Sequence, residues 1–349
     1  MKKAQISVPF QWIYVLIAGA AILILFVSFV ARQRDSSELQ LNAEVTQKLE
    51  QIFILTAQTT KTFNPAKMSP AELHFSCDAD DVSEYWVNSG SAESLETIVA
   101  FSSAKIPVET QLDTWTWPVD MPFSVMNAIF LSSPTITTIV VHDDTALSQT
   151  LLLKIQDIPP QFNFQILSVD EFKNEASYSL STPIVRVIYL TEIDQLPQRI
   201  SEMPDENVIL LQVESERSVA YYRKQGAQLI SDPEDHVAIL RAADPNPAFM
   251  GALFSHNAEY YKCTMRKILK RMTLLTEVYE KRATAMKQQY LLKGNQECAL
   301  LIDPLIFRDY RETIDGCNFD QTCAAEISQA SEQLEQRSTI ISDRCTTLW

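Results

Sequence analysis

Residues 12–31, WIYVLIAGAAILILFVSFVA, form a run of twenty residues without one charged side chain. No other feature restricts the chain so strongly, because a helix over this run has no polar face to offer water. A bilayer's hydrocarbon core is about 30 Å thick, and a helix rising about 1.5 Å per residue crosses it in about 20 apolar residues. Inside lipid the backbone polar groups must be satisfied within the segment, which a helix achieves. The run is therefore expected to be a transmembrane helix. The competing reading is a cleaved secretory signal, whose apolar region spans about 7 to 15 residues and ends in a small-residue cleavage site. Here the run is longer and exits into Arg32-Gln33-Arg34-Asp35.

Ahead of it, within a short basic leader over 1–11, stands Lys2-Lys3-Ala4-Gln5-Ile6-Ser7-Val8-Pro9-Phe10. This stretch resembles the class III signal peptide of archaeal type IV pilin-like proteins, where a basic leader ending in a small residue precedes a Gln-x-Ser-x-Glu-Phe stretch and the apolar helix. The resemblance is confined to residues 1–31. It implies processing at Lys3, Ala4 and Gln5, with cleavage between Ala4 and Gln5 on the cytoplasmic side and the helix retained. The bulk of the chain would then be extracytoplasmic, on a single-pass membrane protein. Pro9 departs from the pattern, since the family has a Glu there that pairs with a neighbouring subunit's amino terminus. That departure bears on filament assembly more than on processing. A plain signal anchor is the alternative. Lys2 and Lys3 before the run nearly balance Arg32 and Arg34 after it, so charge asymmetry alone orients the chain weakly.

Residues 36–61 contain neither Gly nor Pro, and Leu41, Val45, Leu49, Ile52 and Leu55 or Thr56 recur at helical spacing. The apolar run is thus expected to continue as an amphipathic helix (32–63) to about Lys61, with Asn64-Pro65 stopping it. Residues 64–135 read as a mixed region packed on the head, with short strands over 73–77 and 97–101. The tryptophans of the TWTWP segment at 114–118 suit either a strand's core face or an aromatic or sugar ligand, and core is the commoner fate.

Over 136–254 apolar β-branched runs (136–141, 164–169, 184–190, 208–213 and 237–240) alternate with helical candidates at 145–157, 195–203 and 215–225. Near-continuous apolar strands separated by helices predict an α/β fold, an open and mainly parallel sandwich covered on both faces. Gly226 reads as a helix end followed by a short strand. From 255 to 349 two long helices, to Lys293 and from about Asp320 to Arg344, are expected to form an antiparallel helical hairpin connected through 298–316.

Six cysteines occur: Cys77, Cys263, Cys298, Cys317, Cys323 and Cys345. No C-x-x-C is present, and the four histidines show no zinc-ligand spacing. An even count outside the cell favours disulfides, against buried free thiols in a reducing compartment. Six cysteines allow 15 pairings. A helical hairpin would bring Cys263 to Cys345 and Cys298 to Cys317 or Cys323, leaving Cys77 undecided.

The net charge of −15 argues against a nucleic-acid partner, since no basic face is left to neutralise phosphates. Six glycines provide no G-x-G-x-x-G or phosphate loop, and neither a G-x-S-x-G elbow nor H-E-x-x-H occurs. No cofactor is expected. The sharpest chemical candidates stand where α/β sheets bind ligands, at the carboxyl ends of strands: His142, Asp143 and Asp144, then Asp170 and Glu171, then Thr191, Glu192 and Asp194. Asp143, Asp144 and Asp170 are the residues that would hold Mg²⁺ or Ca²⁺; a solvated acidic rim is the plainer reading. The layout resembles the receiver domain of response regulators, with an acidic pair after the first strand and a Gly-Ala pair before the last. Leu190-Thr191 replaces that family's phosphoacceptor and Asp232-Pro233 its lysine, so the likeness is architectural. The chain is thus expected to be a non-catalytic, membrane-anchored pilin-like or accessory subunit. Its partners would be the lipid bilayer and proteins of an envelope assembly. The alternative is a tethered ligand- or metal-binding protein or enzyme using the strand-end carboxylates.

Overall fold

The computed structural model describes residues 7–77, 82–156, 158–193, 195–240 and 246–345. One helix, α1 (Ser7–Ala57), passes through the apolar run and on to the body without a break. Asn42, Val45, Leu49, Phe53 and Thr56 are buried, three or four residues apart, and so line one side of the helix. Val45, Leu49 and Thr56 fall on the expected stripe, whereas Leu41 and Leu55 are exposed and Ile52 half-buried, with Asn42 and Phe53 buried in their place. Phe53 meets Tyr85 edge-on, with ring centroids 5.4 Å apart. The helix ends at Ala57, not Lys61, and Asn127 donates its Nδ2 to the Ala57 carbonyl at 2.9 Å.

The expected transmembrane helix needs correction. Among the described residues, no helix is long and apolar enough to cross a membrane. Side chains of the apolar run are described from residue 15 to residue 30, about 24 Å of helix set against a hydrocarbon core of about 30 Å. All of them are exposed, Leu16 at 72 % and Leu25 at 69 % among them. Lys3, Ala4 and Gln5 lie outside the described residues.

The chain next forms β1 (Phe63–Lys67), β2 (Ala71–Cys77), β3 (Ser83–Val87), β4 (Glu93–Ser94), β5 (Val99–Phe101), β6 (Lys105–Val108), β7 (Gln111–Asp120) and β8 (Ser124–Ser132). They assemble into two four-stranded sheets ordered β1-β7-β8-β5 and β4-β3-β2-β6. Pro65 falls in β1, at a sheet edge, where its missing N–H breaks no ladder. Trp115 on β7 is buried against Phe130, with centroids 4.9 Å apart, and Trp117 lies half-buried under the Lys61 ammonium at 4.9 Å. The tryptophan pair is therefore core with a cation over one ring.

The α/β region contributes β9 (Ile136–His142), α2 (Ala146–Ile155), β10 (Phe164–Ser168), α3 (Val169–Lys173), β11 (Ile184–Tyr189), α4 (Gln198–Ser201), β12 (Val208–Ser215), β13 (Ser218–Gln225), β14 (Gln228–Ile230) and β15 (His236–Ala238). Strands β10, β9, β11 and β12 run parallel. Strands β13, β14 and β15 join antiparallel, so the seven-stranded sheet is mixed where a mainly parallel one was expected. The difference lies in residues 215–225, read as a helix and found as the end of β12, a turn and β13. Val219 and Tyr221 face one core while Tyr222 packs on the other, the period of two that suits a strand. Gly226 (φ +60°) turns the β13–β14 hairpin and ends no helix. Val140, Ile188 and Leu211 face α2 and the first sheet, and Ile139, Val187 and Leu210 face α3 and α4.

The remaining helices are α5 (Pro247–Phe254), α6 (Ala258–Leu292), α7 (Gln296–Leu301), α8 (Leu305–Asp315) and α9 (Gln321–Arg344). The simple hairpin is thus also corrected. Its supposed connection holds two helices, and α8 packs on both α6 and α9 through buried Phe307, Tyr310 and Ile314. Tyr310 ties the layers together, donating to the Met121 carbonyl at 3.1 Å and accepting from the Ser331 hydroxyl on α9 at 2.8 Å.

All six cysteines are paired, as Cys77–Cys263, Cys298–Cys345 and Cys317–Cys323. None of the hairpin-based pairings forms. With α8 between the long helices, Cys263 near the start of α6 meets β2, and Cys345 after α9 meets α7.

Candidate functional site

Asp143 follows β9 at the sheet's carboxyl edge, where a candidate cation site was expected. Its Oδ1 accepts from the Thr145 backbone N–H at 3.1 Å and hydroxyl at 2.6 Å, and its Oδ2 accepts from the Thr191 hydroxyl at 2.9 Å. Its own N–H donates to Ser148 Oγ at 3.1 Å. These bonds, above all that from the Thr145 hydroxyl, hold the carboxyl below the usual aspartate range. Thr145 in turn caps α2, accepting from the Ser148 N–H. Asp143 therefore shapes the entry to a helix, and its carboxylate already accepts three hydrogen bonds.

Asp144 and Asp170 are exposed. Asp170 lies in the first turn of α3, behind a capping box in which Glu171 Oε2 accepts from both the N–H and the hydroxyl of Ser168 at 2.8 Å. Those bonds also lower the Glu171 pKa. Among the described residues, no group of three or more His, Cys, Asp or Glu side chains is placed to hold a metal ion. Asp194 lies outside them.

A second constellation joins a serine, a histidine and a carboxylate. Glu214 accepts from the Ser218 hydroxyl at 2.6 Å and faces His236 Nδ1 at 3.2 Å. The carboxylate stands between the other two, whereas a nucleophilic triad needs the histidine in the middle.

A third feature was missed in the sequence. Arg186, the one charge inside the strand IVRVIY, is 1 % exposed. Its Nη2 donates to Ser103 Oγ at 2.8 Å and to the Phe254 carbonyl at 2.6 Å, and its guanidinium lies 5.4 Å from the Phe254 ring centroid. Phe254 is the last residue of α5, so the cation meets the negative end of a helix. Its Nε has no hydrogen-bond partner, and burial lowers the pKa to about 10, leaving it charged at neutral pH. Nearby, His256 Nδ1 lies 3.3 Å from the Ser102 carbonyl, and burial pushes its pKa down to about 4. The ring is neutral at pH 7 and a weak base.

His256 and Tyr221 line a cleft of about 800 Å³. Both of its cations are paired, Arg223 with Asp232 and Asp235 and Lys224 Nζ with Asp205 at 2.6 Å, and Glu234 and Glu259 leave the lining acidic. Tyr221 donates to the Ala252 carbonyl at 2.8 Å, and burial raises its pKa well above the usual value. Tyr221 is thus no activated nucleophile, and among the described residues the acids of the cleft form no group placed to hold a metal ion. A charged residue breaking an apolar strand was the available signal for Arg186; His256 had none beyond its residue type. Comparison of the chain with protein-family models, with curated proteins and with solved structures finds no match.

Proposed function

We propose that this protein is a non-catalytic, extracytoplasmic accessory subunit of a pilin-like envelope assembly at the cell membrane. One observation carries the reading: α1 projects exposed apolar side chains over residues 15–30 from a body in which every cysteine is oxidised. Burying a side chain such as Leu or Phe contributes about 1.5–3 kcal/mol, so a helix surface of this kind draws the protein to lipid or to neighbouring apolar helices. Exposed patches of that kind mark interaction sites. Oxidised thiols fit an oxidising compartment. The leader's pilin-like residues supply the class of assembly, and the hydrogen-bonded state of Asp143 weighs against a catalytic role.

The test is a photo-crosslinking residue at Leu23 or Phe26, with N-terminal sequencing of the recovered protein. Crosslinks to lipid or to another envelope protein, on chains beginning at Gln5, support the proposal. A freely soluble chain with an intact Met1 and reduced thiols overturns it.

A further inference from the structure

The first half of α6 departs from the charge of the molecule. Between residues 262 and 271 it holds Lys262, Arg266, Lys267, Lys270 and Arg271 with no acid, in a chain of net charge −15. Lys267, Lys270, Arg271 and Leu274 are spaced i, i+3, i+4 and i+7 and so share one helix face. That face lines a groove of about 420 Å³ together with Val99 of β5 and Met126 of β8.

The cations differ in freedom. Lys267 is held in place, its Nζ donating to the Leu95 carbonyl at 2.7 Å and the Ile98 carbonyl at 3.4 Å. Burial lowers its pKa to about 8, and Glu96 acts against that shift. Lys270 and Arg271 are exposed, and neither forms an ion pair with a described residue. Glu96 offsets one of the three charges lining the groove, which leaves about two positive charges without a partner. Beside them lie buried Val99, half-buried Met126 and Leu274, which is 64 % exposed.

We propose that this groove binds an anionic amphiphile, with a phosphate-type head on Lys267, Lys270 and Arg271 and an apolar body against Val99, Met126 and Leu274. Arg offers a phosphate two parallel N–H donors, and the lysines add point charge. The apolar wall selects against a bare anion. The proposal is independent of the assembly role above, since it uses no part of α1.

The probe is hexyl phosphate, titrated calorimetrically into the full oxidised chain in nanodiscs of zwitterionic phosphatidylcholine. Saturable one-to-one binding is expected, with inorganic phosphate binding more weakly. Lys270→Ala with Arg271→Ala should weaken hexyl phosphate binding at least about tenfold, because hydrogen bonds to charged groups are worth about 1.5–3 kcal/mol. Both residues are exposed, so the thermal midpoint should not move. Leu274→Asn should lower the preference for hexyl over inorganic phosphate without changing inorganic phosphate binding. Adding phosphatidylglycerol to the discs identifies the source: competition with the probe supports the groove with a lipid headgroup as occupant, and no competition supports it with a free amphiphile. Binding unchanged in the double variant, or no saturable binding, overturns the proposal.

Discussion

Removing the Cys77–Cys263 bridge by Cys77→Ala with Cys263→Ala should destabilise the protein more than removing either other disulfide. The bridge spans 186 residues of sequence, Cys298–Cys345 spans 47 and Cys317–Cys323 spans 6. In the chain-entropy account a cross-link stabilises by restricting the unfolded chain, and the effect grows with the logarithm of the loop. The three loops then contribute about 5, about 4 and about 2 kcal/mol. The first figure is at least a third of the roughly 5–15 kcal/mol that holds a typical domain folded. The bridge also joins β2, whose Leu73 and Phe75 lie in the core under α1, to α6, whose Tyr261 and Met265 lie in the main core. Its loss should therefore uncouple two packed regions. Guanidinium unfolding of the oxidised full chain, followed by tryptophan fluorescence with Trp115 as a buried reporter, measures the three paired variants. The order of loss should follow loop length. A Cys77/Cys263 variant that loses less than the Cys317/Cys323 variant would refute the entropic reasoning.

Other expectations follow from close packing and buried charge. Gly251→Ala places a methyl 2.6 Å from the Phe101 ring, and this overpacking should cost about 1–3 kcal/mol in the same denaturation assay. Arg186→Ala strips the Phe254 carbonyl of its charged donor and opens a hole between sheets, so a loss of about 3 kcal/mol or more is expected, with Arg186→Lys recovering part of it. His256 has its folded pKa near 4 against an ordinary 6.5, so the unfolded chain takes up the proton first. Its contribution to stability is complete above about pH 7.5 and falls by about 2 kcal/mol by pH 5. His256→Gln should flatten that part of the stability–pH curve, and an unchanged slope would show the assignment wrong.

The strands β9, β11 and β12 were legible because each is buried on both faces and therefore reads as an unbroken apolar run. Strand β13 was not, since Glu214–Arg217 and Arg223–Gln225 surround its short apolar centre with charge, a composition shared with exposed helices. The two short helices α7 and α8 escaped because 298–316 reads only as a connection, and Pro304 in fact stands at the start of α8. Disulfide pairing depended on that helix: once α8 separates α6 from α9, the cysteines face other neighbours. At the candidate site the sequence located the strand ends correctly, but not that Thr145 and Thr191 would occupy the Asp143 carboxylate. Arg186 and the α6 groove arise from residues far apart in sequence, which periodicity does not reveal.

The order of the cysteines along the chain has a consequence for biosynthesis. No other cysteine lies between Cys77 and Cys263, so as the polypeptide emerges the first thiol has nothing to mispair with until its correct mate arrives. Cys298–Cys345 is different, because it encloses Cys317–Cys323 and the growing tail presents two wrong choices before the right one. Any need for a disulfide isomerase should therefore fall on the last fifty residues, and a nascent chain stalled just beyond α6 should already carry its longest cross-link.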